Sequence, residues 1–272
     1  MKDHENHEAS NMNSIIRYFV DKDYRFKKNL THGLLNHVSD ETIIKKQFEM
    51  ALGYELDLND PKTFNEKLQW LKLNDRKPIY TTMVDKYEAK KYVSDIIGEE
   101  YVIPTLGVWD SFEEIDFNSL PNQFVLKCTH DSGGLVICKN KREFNIGTSK
   151  KKIADCLKTN FYYRFREWPY RDVKPRIIAE PYLEEKETGE LRDYKFFCFN
   201  GTVKCYKIDF NRFIGHRANY YSADGELMKL GEVICPPDFE RMIPIPSEID
   251  EMKMLASRLS NGHPFLRVDF YD

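Results

Sequence analysis

A turn rich in small residues, lying between two apolar runs, is the feature of this sequence that points most directly to chemistry. Residues 124–134 read Phe-Val-Leu-Lys-Cys-Thr-His-Asp-Ser-Gly-Gly, which places Lys127 near the end of the first run. A lysine followed by such a turn can surround a polyphosphate with one ammonium group and several backbone N–H groups. An ordinary hairpin with an exposed lysine is the alternative. The chain contains neither GxxxxGK(S/T) nor GxGxxG, the patterns of other phosphate-binding loops.

An apolar run that leads into an acidic segment is the second candidate. Residues 177–184 read Ile-Ile-Ala-Glu-Pro-Tyr-Leu-Glu. Backbone groups of such a segment can bind the edge of a planar ring, and Glu180 or Glu184 can accept a hydrogen bond from a sugar hydroxyl. The alternative is a strand that enters a solvated turn.

Charged residues alternate with apolar ones near the end of the chain. Residues 267–272 read Arg-Val-Asp-Phe-Tyr-Asp, so Asp269 is predicted to face the opposite side of its strand from Val268 and Phe270. A carboxylate that faces inward is costly without a partner, and Mg²⁺ is one such partner. A salt bridge to Arg or Lys is the alternative. A similar charged segment, Arg-Asp-Tyr-Lys, ends at Lys195.

Helices are predicted for the first third of the chain, because apolar residues recur there at helical spacing. Asp40 is a plausible N-cap for the first of them, and Thr63 with Glu66 has capping-box spacing for the next. A third helix is predicted from Asp85 to a stop at Gly98.

Strands are predicted to dominate after Pro121, where apolar residues alternate with polar ones. Asn200-Gly201 favours a type I′ turn between two of these strands, because both residues tolerate positive φ. Ser247 is predicted to open a late helix. The predicted strands lie at 124–129, 135–139, 176–180, 193–199, 202–209 and 263–272, and a helical stretch is predicted at 151–166.

Composition excludes several classes of protein. The 272 residues are 41% apolar, and 41 Lys plus Arg against 44 Asp plus Glu give a formal net charge of −3, so nucleic acid is not an expected partner. No signal peptide or transmembrane segment is predicted, which favours a soluble, cytoplasmic protein. The six cysteines form no CxxC pair and are interpreted as buried thiols, rather than as disulfides or zinc ligands. The seven histidines show no HExxH pattern, which argues against metal-dependent hydrolysis.

Taken together and in order, these segments resemble the TupA-like ATP-grasp family, which is named for a protein of teichuronopeptide synthesis. The resemblance covers roughly residues 40–272. It rests on residues 60–70, 85–90, 124–134, 166–170, 177–184, 192–195 and 267–269.

The resemblance implies an α+β protein with the ATP-grasp fold, in which ATP is held between two β-sheets. The implied organisation is an N-terminal extension of unknown role at 1–39, a helical region at 40–119 and a small α+β lid subdomain at 120–185. A mainly antiparallel central subdomain with packed helices follows at 186–272. Family members continue into another strand, whose glutamate completes the magnesium site. No such segment follows Asp272, so the central subdomain is expected to be truncated here.

The resemblance also implies roles for individual residues, with ATP and Mg²⁺ as cofactors. Lys86 is similar to the first lysine of the family and Lys127 to the second, which faces the α- and β-phosphates. Lys195 would approach the γ-phosphate and Arg267 would share its catalytic role, while Asp269 resembles a Mg²⁺ ligand. The flexible loop over the phosphates would comprise His130, Asp131, Ser132, Gly133 and Gly134, and the adenine hinge Glu180, Pro181, Tyr182 and Leu183.

The activity implied by the resemblance is a ligase reaction in which ATP activates a carboxylate as an acylphosphate that an amine then attacks. The expected substrates are a small molecule or polysaccharide, with a uronic acid of a cell-surface polysaccharide as carboxylate and an amino acid as amine. The resemblance thus implies a role in cell-envelope polysaccharide biosynthesis. The alternatives are a glycosyltransferase or kinase of polysaccharide assembly, or a catalytically incomplete ATP-binding protein. No Asp-x-Asp metal motif supports a glycosyltransferase.

Overall fold

Helices form the first part of the chain in the computed structural model, which describes residues 14–184, 192–211 and 214–271. Apolar residues at helical spacing bury one face of these helices, as Ile43, Ile44 and Phe48 do. The helices are α1 Ser14–Val20, α2 Lys22–Thr31, α3 Asp40–Leu52, α4 Phe64–Asn74, α5 Ile79–Val84 and α6 Glu88–Ile97, with a 3₁₀ turn at Glu99–Tyr101.

Side-chain caps fix where these helices begin. Thr63 and Glu66 form the predicted capping box at the start of α4. The prediction of Asp40 as the N-cap of α3 is wrong by one residue, because Ser39 occupies that position and accepts from the Thr42 N–H at 3.3 Å. The carboxylate of Asp40 instead pairs with Arg76 at 2.6 Å.

A four-stranded sheet follows, with strand order β1-β4-β2-β3. Strands β2 and β3 form the predicted antiparallel hairpin. The helical stretch predicted at 151–166 is two helices rather than one. The strands are β1 Gly107–Trp109, β2 Phe124–Cys128, β3 Leu135–Cys138 and β4 Ile177–Pro181, and the helices are α7 Ile146–Leu157 and α8 Tyr162–Phe165, with 3₁₀ turns at Phe112–Glu114 and Trp168–Tyr170.

Alternation along β2 separates its core residues from Lys127. Phe124, Leu126 and Cys128 are fully buried in a cluster that also contains Ile153 of α7. Lys127 lies between Leu126 and Cys128 and is only partly buried. Because successive side chains of a strand point to opposite faces, Lys127 lies on the face away from this core.

A second four-stranded sheet has the order β7-β6-β5-β8, and every pairing in it is antiparallel. The turn between β5 and β6 has φ 46° at Asn200 and φ 79° at Gly201, as the sequence predicts. The late helix begins at Ile249 without a side-chain cap, so Ser247 does not cap it. The elements are β5 Asp193–Phe199, β6 Thr202–Phe210, β7 Arg217–Ser222, α9 Ile249–Leu259 and β8 Leu266–Tyr271.

The two faces of this second sheet differ in chemistry. One face contributes Tyr194, Phe196 and Ile208 to an apolar cluster that includes Leu255 of α9. The other face carries charged residues at the alternate positions, and four of them are buried: Asp193, Lys195, Lys207 and Asp209. Buried charges on one face of a sheet must be paired with one another or with a ligand, which makes this face a candidate site.

The chain divides into two compact units, which are described separately below. Among the described residues, the first unit comprises 14–89 and 105–179, and the second comprises 90–104 and those from 180 to 271. The division predicted from the resemblance, with boundaries at 119 and 185, stays a prediction. Within the described ranges, no helix is long and apolar enough to cross a membrane.

Candidate functional site

Lys86 anchors the turn that follows β2 in the first unit. Its ammonium group donates to the backbone carbonyl of Cys128 at 2.9 Å and to that of Asp131, and it lies 3.9 Å from Asp131 Oδ1. Burial lowers the pKa of Lys86; the charge of Asp131 opposes this shift and that of Lys127 adds to it. Lys86 is therefore a partly desolvated cation at the base of the turn.

Asp85 helps to hold Lys86 in this position. Its Oδ1 accepts from the backbone N–H of Tyr87 at 2.9 Å, and its Oδ2 pairs with Arg176 at 2.7 Å. Arg176 also pairs with Glu88 in the first turn of α6 at 2.8 Å. The backbone N–H of Lys86 donates in addition to the Thr129 carbonyl at 3.1 Å. The start of α6 is thus tied to the residues around β2 and β4.

The turn at residues 130–134 has a buried and an exposed side. His130 is 2% exposed, and its Nε2 lies 3.2 Å from the Cys156 carbonyl and 3.1 Å from that of Thr159. Its ring is therefore directed at the end of α7. Ser132 and Gly133 are exposed. The backbone of this exposed part is the portion of the predicted loop that can approach a phosphate.

Two thiols and one carboxylate pack beneath the turn. Cys156 Sγ lies 2.8 Å from Asp131 Oδ2, which also accepts from the Gly134 N–H at 2.7 Å. The pKa of the Cys156 thiol is strongly raised, because the Cys128 side chain bonds to it and because it is buried. The prediction that the cysteines are buried holds for four of the six, whereas Cys156 and Cys205 are only partly buried.

In the second unit, Glu180 forms an ion pair at the end of β4. Its Oε1 lies 2.6 Å from the Nζ of Lys90, and its side chain is 6% exposed. Lys90 also donates to the Ile103 carbonyl. Of the other predicted hinge residues, Pro181 and Tyr182 are partly buried and Leu183 is exposed.

Lys195 lies at the centre of the charged face of the second sheet. Its ammonium group donates to the carboxylates of Asp193 and Asp209. The register explains this contact, since Asp193 pairs with Asp209 across β5 and β6. Asp269 is opposite Lys195 across β5 and β8. The predicted phosphate-binding lysine is therefore held among carboxylates.

Arg267 and Asp269 form a two-point ion pair on β8. The Nε and Nη2 atoms of Arg267 lie 2.8 Å from Oδ1 and Oδ2 of Asp269. Burial alone would lower the pKa of Arg267, but the hydrogen bonds and charge of Asp269 outweigh it, so the pKa rises. Asp269 thus has the salt-bridge partner that its sequence pattern left as an alternative.

Sequence reasoning missed a further polar cluster at the end of β6. His216 Nε2 lies 3.1 Å from Asp209 Oδ1, and His216 Nδ1 lies 3.3 Å from Cys235 Sγ. Lys207 pairs with Asp209 at 3.5 Å and with Glu232 at 2.8 Å. Burial raises the pKa of the Cys235 thiol. Lys207 and Asp209 alternate along β6 as Asp193 and Lys195 do along β5, which is the one sequence signal that marks them.

The structure therefore gathers the predicted residues into two groups. In the first unit, Lys86 meets the turn that follows the strand of Lys127. In the second unit, Lys195 and the Arg267–Asp269 pair share one face of the sheet.

A comparison with known families identifies the protein's relatives. The model of the TupA-like ATP-grasp family matches residues 66–272, which is most of the chain. The chain belongs to the TupA-like ATP-grasp family. Its fold is accordingly the α+β ATP-grasp fold that the sequence predicts. The match begins inside α4 and spans all the candidate residues described above.

The solved structures that are similar to this TupA-like protein share little sequence identity with it. ATP-grasp ligase PsnB, complexed with a phosphomimetic variant of a minimal precursor, Mg and ADP, is 12% identical with a TM-score of 0.41; the match covers 93% of this chain and 61% of that one. D-cycloserine synthetase DcsG is 15% identical with a TM-score of 0.33, over 71% of this chain and 58% of that one. The TupA-like chain thus spans about three fifths of the length of these two proteins. No curated protein matches it by sequence.

Proposed function

We propose that this TupA-like protein is an ATP-dependent ligase that joins a carboxylate to an amine through an acylphosphate. The observation that supports this most is the position of Lys86. A lysine from outside the hairpin has its ammonium group bonded to the turn that follows Lys127. Two cations near one glycine-containing turn suit a polyphosphate.

The exposed part of the turn fits the phosphates of ATP. A Cβ atom placed on Gly133 would meet nothing closer than Asp131 Oδ2 at 3.9 Å, so the space beside this residue is open. The Lys86 side chain keeps 34% exposure. Its ammonium group now donates to carbonyls, and a phosphate oxygen would be a charged acceptor in their place. We therefore assign phosphate binding to Lys86, Lys127 and the backbone of the exposed residues Ser132 and Gly133.

The carboxylate of Asp269 fits a magnesium ion in chemistry. Mg²⁺ takes oxygen ligands, and Asp269 keeps 34% side-chain exposure beside Arg267. When bound, the ion would offset negative charge on the transferring phosphoryl group. Arg267 holds both oxygens of Asp269, so it would have to release at least one of them. We propose that the freed guanidinium then binds substrate or phosphate.

The proposed reaction has two steps. A carboxylate oxygen of the substrate attacks the γ-phosphorus of ATP, the bond to the β-phosphate oxygen breaks, and ADP leaves. An amine then attacks the acyl carbon, phosphate leaves, and the amine proton passes to solvent. Lys195 would neutralise charge on the γ-phosphoryl group. Asp193 and Asp209 would hold its ammonium group in position.

The substrates are proposed from the family resemblance. A uronic acid of a cell-surface polysaccharide would supply the carboxylate and an amino acid the amine. For comparison, PsnB is described as a ligase complexed with a precursor peptide and DcsG as D-cycloserine synthetase. The proposal of a uronic acid rests on the family resemblance alone.

ADP release tests this function. Purified protein is incubated with MgATP, a panel of uronic acids and a panel of amino acids, supplied singly and together. Release that requires both substrates supports a ligase. Adding hydroxylamine in place of the amine should give a hydroxamate, because it traps an acylphosphate; a kinase acting on a hydroxyl would release ADP without one. Lys127→Ala should abolish release, whereas Lys139→Ala, at an exposed lysine just after β3, should not.

A further inference from the structure

Three residues of the second unit bring together three kinds of metal-binding atom. A carboxylate oxygen of Asp209, a ring nitrogen of His216 and the sulfur of Cys235 all lie within 4.8 Å of one another. We propose that these residues bind a Zn²⁺ ion. This site lies beyond the proposed ligase function and does not depend on it.

The donor set suits zinc rather than magnesium. Thiolate and imidazole are ligands of Zn²⁺, whereas Mg²⁺ takes oxygen ligands almost exclusively. Two ligands of a tetrahedral zinc ion are roughly 3.4–3.6 Å apart, given metal–ligand bonds of about 2.0–2.3 Å. The distance of 3.3 Å between His216 Nδ1 and Cys235 Sγ is already close to this value. Contraction of the widest separation by about 1 Å would complete the site.

The backbone holds the three ligands near one another. Asp209 lies near the end of β6 and His216 directly precedes β7, whose Ala218 pairs with Asp209. Cys235 lies in the connection after β7, and Asn219 fastens that connection. The Nδ2 of Asn219 donates to the Asp238 carbonyl at 2.7 Å, and its Oδ1 accepts from the Asp238 N–H at 2.9 Å.

Burial and access from solvent also suit a bound ion. Asp209 and Cys235 are buried, while the His216 side chain keeps 37% exposure and gives an ion access from solvent. The ammonium group of Lys195 bonds to Asp209 Oδ2 and fixes the orientation of the carboxylate. Lys207 lies 3.5 Å from Asp209 Oδ1 and can pair with Glu232 instead.

Binding would exchange hydrogen bonds for metal bonds. The thiol proton of Cys235 passes to solvent as the metal–sulfur bond forms. Asp209 and Cys235 contact opposite nitrogens of the His216 ring, so the ring must turn to present one nitrogen to the ion, and both of these hydrogen bonds are lost. Three protein ligands leave the fourth position of the ion to a water molecule.

Cobalt titration tests the site, because Co²⁺ occupies zinc sites and reports a thiolate ligand by a sulfur-to-cobalt charge-transfer band. Metal-free full-length protein is titrated with CoCl₂ in the presence of a non-chelating phosphine reductant. One equivalent should produce the band, and ZnCl₂ should then abolish it. Cys235→Ala and His216→Gln should lose the band. Cys205→Ala, which removes a partly buried thiol of the same strand as Asp209, should retain it.

Thermal unfolding provides a second readout, which does not rely on the charge-transfer band. ZnCl₂ should raise the Tm of the wild type and of Cys205→Ala, and leave that of His216→Gln unchanged. Circular dichroism checks that each variant is folded. Absence of the band from the wild type, or its persistence in Cys235→Ala, would overturn the proposal. ATP affinity of the same preparations is measured in parallel, so failure of the ligase function is distinguished from failure of the zinc site.

Discussion

Arg267 holds both carboxylate oxygens of Asp269, with each N–O distance at 2.8 Å. The residue proposed to bind magnesium is therefore neutralised by a guanidinium two residues away on the same strand face. A metal ion at Asp269 would have to compete with this pair, and the two roles predict different consequences of removing the carboxylate.

Asp269→Asn separates the two roles. If Asp269 binds Mg²⁺, the Mg²⁺ concentration that gives half-maximal ADP release should rise at least tenfold. The free energy of unfolding should change by less than about 1 kcal/mol, because this ion pair is partly exposed. Magnesium titration and urea unfolding measure the two quantities. An unchanged magnesium requirement would assign the pair a structural role only.

Gly134→Ala should destabilise the first unit. A Cβ atom at this position would lie 2.3 Å from Cys156 Sγ and 2.8 Å from Cys128 Sγ, the two thiols that pack beneath the turn. The forced repacking is expected to cost about 1–3 kcal/mol of unfolding free energy. Gly133→Ala is the matched control and should change it by less than about 0.5 kcal/mol, because its nearest contact would be 3.9 Å away. Equal effects of the two substitutions, measured by urea unfolding, would contradict this account of the turn.

The pH dependence of ATP binding should reflect Lys86. Burial lowers the pKa of its ammonium group from the ordinary value of 10.5, so the group loses its charge at a lower pH than an exposed lysine. ATP affinity should fall as pH rises through this lowered pKa. The free energy of unfolding without nucleotide should rise over the same range, since the unfolded chain binds the proton more tightly.

Lys86→Arg provides the comparison, because arginine remains charged throughout this range. Its ATP affinity should be nearly constant with pH where that of the wild type falls. Calorimetric titrations at several alkaline pH values make the measurement. Parallel curves for the two proteins would show that another group causes the pH dependence.

Lys195→Met should destabilise the second unit. The substitution removes a buried ammonium group from the carboxylates of Asp193 and Asp209. Loss of one partner from a buried ionic group is expected to cost about 3 kcal/mol. Lys204→Met, on an exposed position of β6, should change the free energy of unfolding by less than about 0.5 kcal/mol. A loss of ADP release without loss of stability would give Lys195 a catalytic role alone.

The sequence predicts those elements whose conformation is set by residues that are close together in the chain. The Asn200-Gly201 turn, the Thr63–Glu66 capping box and the β2–β3 hairpin are fixed by conformational preference and alternation, and all three are observed. The sequence places the N-cap of α3 one residue too late, because Ser39 and Asp40 are both suitable caps. Only the distant Arg76 shows why the Asp40 carboxylate is used elsewhere.

The contacts of the candidate site are not predictable from the sequence, because tertiary structure creates them. Glu180 is paired with Lys90, which lies 90 positions earlier, and neither residue's sequence context indicates the other. The cluster of Asp209, His216 and Cys235 has separations of 7 and 19 residues. These separations match no ligand motif, so only the pairing of β6 with β7 and the fastened connection after β7 bring the three residues together.

The affinity of the Lys127→Ala variant for MgATP tests the central claim most directly. Calorimetric titration should give clear binding for the wild type and for Lys139→Ala, and no measurable binding for Lys127→Ala. Circular dichroism and the Tm should be unchanged in both variants, since Lys127 lies on the face of β2 away from the core. Wild-type affinity in a folded Lys127→Ala protein would contradict the assignment of this turn as the phosphate-binding site.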